Sequence, residues 1–243
     1  MAATVEIRSY HGATPDSGTN VAGGNVRFKL ADNDTVDSVN PIAIPGAGTV
    51  FSWAKNLSFY AGTTPSNNIT NLRFYTDGSA GFGTGVGMNV RTQQTFTGTA
   101  TSGSTTVLTD TGATFPTTNG GLTGFVLEIT GGTQSGNSRR IASNTATAIT
   151  VASAFGGALD NTSVYRVWYF DPINNAATQL QSFGTGGDAF TFTSGSPLSL
   201  NGSITNPSTG RFGGGVYLQM TVASTATQGT TASETLTFAY DES

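Results

Sequence analysis

The chain has 243 residues, a formal net charge of -4, no cysteine, one histidine (His11) and only 10% charged residues. Without cysteine there are no disulfides and no thiolate metal sites. No basic run offers to neutralise phosphates, so nucleic acid is not an expected partner.

Glycine is abundant, at 33 residues, and Thr, Ser and Asn crowd the spaces between apolar positions. The 15 Phe, 7 Tyr and 2 Trp supply enough aromatic area for a folded core. No stretch approaches the ~20 apolar residues of a membrane span, so no membrane association is expected. The first residues lack the charged and apolar regions of a secretory leader, which predicts folding in a cytoplasm.

Alternation with period two marks the strands. Val5 and Ile7 open the series. Val26, Phe28 and Leu30 follow, with Arg27 and Lys29 on the opposite face. Ile42 and Ile44 sit between Pro41 and Pro45. Phe51, Trp53, Leu57 and Phe59 predict one long strand, kinked near 54–56. Leu72 and Phe74 alternate with Arg73 and Tyr75. Val86, Met88 and Val90 alternate with Gly87, Asn89 and Arg91. After the middle of the chain come Phe190 and Phe192, then Val216, Leu218, Met220 and Val222, then Leu236, Phe238 and Tyr240. No segment carries a helical period. Strands with one apolar and one wet face predict antiparallel sheets, hence an all-β sandwich of jelly-roll or immunoglobulin-like type.

The middle differs. Residues 98–168 are denser in Thr, Gly and Ser, with shorter strands predicted at 105–109, 125–130, 138–143, 148–152 and 163–168. Glycine pairs at 120–121, 131–132 and 156–157 separate them. These residues are expected to form a small β module inserted into a sandwich built from 1–97 and 169–243, since insertion at an exposed loop costs little.

The run from Gly98 to Phe115 continues into Gly121–Thr130, Gly136–Thr145 and Ala148–Ser153. This order of segments resembles a small β module of tailed-bacteriophage virion proteins. Asn68–Gly78 and Ala232–Glu242 are similar to segments of phage structural proteins. The resemblance implies a virion component and carries over no functional residues.

Possible chemical sites are few. Asp32, Asp34 and Asp37 form the densest acidic cluster, a spacing that can offer oxygens to Ca²⁺, but the glycine and terminal glutamate of an EF-hand loop are missing. A solvated turn is the plainer reading. His11 has no recognisable nucleophile or orienting carboxylate near it in sequence. Glu128, Asp171, Asp188 and Glu234 are the carboxylates that a glycoside hydrolase would need to pair. The glycine clusters at 23–24, 186–187 and 213–215 lack the Lys-Ser/Thr of a phosphate loop. The run at 213–215 predicts a bulge or a close subunit contact. No catalytic, cofactor-binding or metal-binding residue is therefore assigned, and no cofactor is expected.

Arg8, Arg27, Arg73, Arg91 and Arg211 fall beside core positions on outward strand faces, where planar bidentate pairing suits a protein interface. Solvated strand faces are the alternative. Together these features predict a non-enzymatic phage structural protein, in first place a capsid decoration or minor capsid protein. Its expected partners are the major capsid protein or other virion proteins and further copies of itself, a trimer in the first instance. A neck or tail component and a receptor-binding tail module stay open.

Overall fold

The computed structural model describes residues 4–10, 18–24, 26–31, 33–36, 41–93, 96–117, 121–169, 186–204, 210–229 and 232–243, with backbone alone at 168–169 and 210–213. Six strands come first: β1 (Val5–Tyr10), β2 (Thr19–Asn20), β3 (Thr49–Phe51), β4 (Lys55–Ala61), β5 (Ile69–Tyr75) and β6 (Val86–Thr92). Seven form the middle: β7 (Phe96–Thr99), β8 (Ser102–Gly103), β9 (Val107–Thr109), β10 (Phe125–Gly131), β11 (Ser138–Asn144), β12 (Ala148–Val151) and β13 (Val164–Tyr169). Four follow: β14 (Gly186–Asp188), β15 (Leu198–Ser199), β16 (Gly210–Ala223) and β17 (Thr237–Glu242). Among the described residues the one other regular element is a 3-10 turn at Ala189–Thr191. Every strand ladder is antiparallel. The fold is all-β.

The chain divides into two compact units, Met1–Gln93 with Pro172–Ser243, and Gln94–Asp171. The sequence reading draws these boundaries at 97/98 and 168/169.

The first unit is a sandwich. One sheet has the order β14-β6-β16-β4-β1-β2, with β3 also on β16, and the other is β15-β5-β17. The core lies between them: Leu57, Phe59, Met88, Val90, Val216 and Leu218 from the larger sheet, Ile69, Leu72 and Phe74 from the smaller. Phe238 packs edge-on against both Phe59 and Phe74, at centroid distances of 5.6 and 5.4 Å. Each such fully buried side chain is worth about 1.5–3 kcal/mol of transfer free energy.

Four expectations are corrected here. Residues 26–30 alternate as predicted but pair with no strand; they form an irregular segment, and Lys29 is buried (5% exposed) rather than outward. Its Nζ is satisfied locally by Thr35 O at 2.7 Å and Thr35 Oγ1 at 3.2 Å. Residues 42–44 also form no strand. Phe51 and Trp53 do not share the face of Leu57 and Phe59. Phe51 pairs with Thr221 whereas Leu57 pairs with Val216, five residues away and so on the opposite face. The break at Ser52–Ala54 shifts the alternation by one, and the small Ser52 and Ala54 are buried there instead. Phe190 belongs to the 3-10 turn, not to a strand.

The larger sheet also departs from one wet face. On the face opposite Leu57 and Val216, Asn56, Ser58, Tyr217 and Gln219 are all buried. Their polar atoms are used: Gln93 Nε2 donates to Asn56 Oδ1 and to Ser58 Oγ (2.7 Å), and Gln219 Nε2 donates to Ser52 O (2.9 Å). Buried amides are tolerated because they are bonded.

The expected bulge at 213–215 is present. The pairing of β16 with β4 shifts register between Arg211 and Gly215. Gly214 has φ +68 and a Cβ there would meet Leu72 Cδ1 and Asn201 O, so only glycine fits.

The second unit is a closed barrel. Its ladder runs β7-β13-β10-β11-β12-β9-β8. The two ends of that ladder are consecutive pieces of one segment. Ala100 N bonds to Ser163 O on one side, and Thr101 N to Thr109 O on the other. The sheet therefore has no free edge to template further pairing. Leu108, Leu127, Ile129, Ile141, Ile149 and Val167 are fully buried. The registers put Leu127 opposite Val167, Ile129 opposite Tyr165 and Ile149 opposite Leu108.

Candidate functional site

The outward arginines end in different surroundings. Arg8 Nε pairs with Glu6 Oε2 at 2.7 Å and its guanidinium lies 3.4 Å from the centre of the Tyr60 ring. Glu6, Arg8 and Tyr60 share the face of the larger sheet opposite Ile7 and Phe59, since Glu6 pairs with Tyr60 and Ile7 with Phe59. Arg73 Nη2 pairs across strands with Asp241 Oδ1 at 2.5 Å, and Asn71 Nδ2 donates to the other oxygen at 2.6 Å. The Asn71 hydrogen bond, then Arg73, hold the Asp241 carboxyl below the usual carboxylate range. Arg91 is half-buried with its Nε out of solvent and unbonded, while Arg27 is exposed. The Arg211 side chain lies outside the described residues. Arg8 and Arg73 are thus committed within the chain, and their remaining donors are what a partner could use.

The carboxylates of the sequence reading each take a local structural role. Asp34 Oδ1 meets Lys55 Nζ at 3.2 Å; Lys55 is 1% exposed, and it also donates to Asn33 O at 2.7 Å. An ammonium already occupies the position next to Asp34 where a cation would sit; Asp32 and Asp37 lie outside the described residues. Glu128 pairs with Arg166 across β10 and β13 at 2.7 Å. Asp188 caps the 3-10 turn, accepting from Phe190 N at 3.0 Å. Glu234 Oε1 accepts from Gly81 N. Asp171 and His11 lie outside the described residues. Among the described residues no three His, Cys, Asp or Glu side chains gather as a metal would require.

The largest recess in the sandwich unit is a cavity of about 620 Å³ at one end of the core. Ile7, Leu57, Met88 and Met220 of the larger sheet form its floor. Phe238 and the residues before it, 232–236, form one wall, and the irregular segments at 21–24 and 26–29 form another. The cavity exists because the three-stranded sheet is too narrow to cover the larger one; loops cover the rest. A shallower recess of about 190 Å³ lies between Tyr75, Asp77, Thr193 and Thr235.

No protein-family model matches the chain, and no curated protein is significantly similar to it.

Sequence reasoning missed three arrangements. The cavity depends on the width of one sheet, which alternation does not report. The Arg73–Asp241 pair joins residues 168 apart. The Asp160 turn of the barrel is local and was legible in principle: Asp-Asn-Thr-Ser at 160–163 is a turn sequence whose aspartate accepts hydrogen bonds two residues on. Asp160 accepts from Thr162 N (2.9 Å), Thr162 Oγ1 (2.6 Å) and Thr133 Oγ1 (2.7 Å). Those bonds, Thr162 first, lower its carboxyl to about 2.

Proposed function

We propose that the chain is a non-enzymatic structural protein of a bacteriophage particle, in first place a capsid decoration or minor capsid protein that strengthens the particle through contacts with the major capsid protein and with its own copies. The observation that supports this reading is the use made of the charged residues. Arg73–Asp241 and Arg166–Glu128 staple neighbouring strands, and Lys55–Asp34 fixes an irregular segment to β4. Such pairs add rigidity and register more than bulk stability. A stiff all-β sandwich and an edgeless barrel suit a part that bears load. The segment order described for residues 98–153 is the reason for choosing a phage particle.

A receptor-binding tail module is the second reading. The recess beside Tyr75 and Asp77 favours it, because an aromatic ring beside a carboxylate and hydroxyls is the chemistry that holds a sugar. Quantitative mass spectrometry of purified particles separates the two. A copy number in the hundreds supports decoration. A few tens or fewer supports a neck or tail part, and absence from particles removes both.

A further inference from the structure

We propose that the cavity at the end of the sandwich is a binding site for a single-chain amphiphile with a carboxylate head, a medium-length fatty acid, with Arg27 holding the head. The size is right: about 620 Å³ falls within the ~300–1,000 Å³ of small-molecule pockets. So is the lining. The floor of Ile7, Leu57, Met88 and Met220 presents aliphatic carbon and two flexible thioethers, and Phe238 adds an aromatic wall. Methionines adapt to the shape of a mobile chain better than branched residues do. A polar or sugar ligand finds no matching donors on that floor.

The charge argument fixes the head group. Three charged residues line the cavity: Arg27, Lys29 and Glu234. Lys29 Nζ is already bonded to Thr35 O and Oγ1, and Glu234 Oε1 to Gly81 N. The Arg27 guanidinium is exposed and has no ion pair or hydrogen bond among the described residues. Its amide, not its side chain, meets Asp34 Oδ1, and Asp34 is paired with Lys55. A lone guanidinium above an apolar cavity selects a planar anion on an apolar chain, and a carboxylate accepts from it bidentately.

The test uses the full chain with octanoic, decanoic and dodecanoic acids and with dodecanol, each titrated below its micelle concentration against bound N-phenyl-1-naphthylamine. Each added methylene should tighten binding by about fourfold until the cavity is full. Arg27→Gln lies on an exposed side chain and leaves the fold intact. It should weaken dodecanoate about tenfold and leave dodecanol unchanged. Val26→Trp, which fills the cavity, should abolish binding of both. Equal loss of acid and alcohol in Arg27→Gln, or no dependence on chain length, overturns the proposal. So does an absence of binding to free acids, including the case in which the protein instead binds vesicles containing anionic phospholipid.

Discussion

Tyr165 Oη donates to Asp110 Oδ2 at 2.7 Å, tying β13 to the segment that follows β9 inside the barrel unit. The Tyr165 ring also meets Phe115 edge-on at 6.1 Å. Burial, and then the Asp110 carboxylate, push the phenol well above its ordinary value. A tyrosine whose folded pKa is raised stabilises the fold below about pH 10, and that stabilisation is lost as pH rises further. Ultraviolet titration should show a tyrosine that ionises only as the barrel unfolds. The step should vanish in Tyr165→Phe, which should also cost about 1 kcal/mol at neutral pH. A Tyr165 that titrates together with the exposed phenols contradicts this.

Asp160 has the opposite sign. Its carboxyl is lowered from 3.8 to about 2, so its hydrogen bonds to Thr162 and Thr133 stabilise the fold above pH 3.8 and are lost as pH falls through about 2. Asp160→Asn should lower the denaturant midpoint of the barrel at pH 7. The gap from the parent should narrow steadily between pH 4 and 2. A gap that is constant across that range assigns the effect to something other than the ionised carboxylate.

Gly214→Ala places a side chain at φ +68 against Leu72 and Asn201 O. The strained backbone alone costs about 1–3 kcal/mol, and neither the Leu72 core nor the Asn201 backbone can move freely. Gly187→Ala is the control, since its Cβ would meet open space. Thermal unfolding of the sandwich should fall by several degrees in the first variant and stay within a degree or two in the second.

The barrel carries its own core and closes its own sheet, so residues 94–171 are expected to fold alone. Joining residue 93 to 172 by a short linker should leave a folded sandwich. Circular dichroism and amide dispersion in proton–nitrogen spectra of the two products check this. A collapsed or unfolded remainder would show that the two units share a core.

What could be read from the sequence followed from pairing strength. Val216–Val222 alternates cleanly and runs through the middle of the larger sheet between β4 and β6, where both its neighbours demand the same register. The short strands at 125–130, 138–143 and 148–152 were legible because glycine turns bound them. Val26–Leu30 alternates just as well yet forms no strand, since alternation measures amphipathicity and no free edge was left to pair it. The interior of Asn56, Ser58 and Gln219 was hidden for a related reason. A polar residue beside an apolar one reads as solvent-facing unless its hydrogen-bond partner, here Gln93 or Ser52, can be seen. The cavity and Arg27 at its rim depend on which loops cover a sheet, and that is tertiary.

The most direct test of the structural role is reconstitution. Phage particles produced without this chain are mixed with the purified protein, and the temperature at which they release DNA is recorded as protein is added. Saturable binding, at a fixed number of copies per particle, with a rise in the release temperature is the predicted result. Folded protein that leaves the particles unbound and their release temperature unchanged would contradict it.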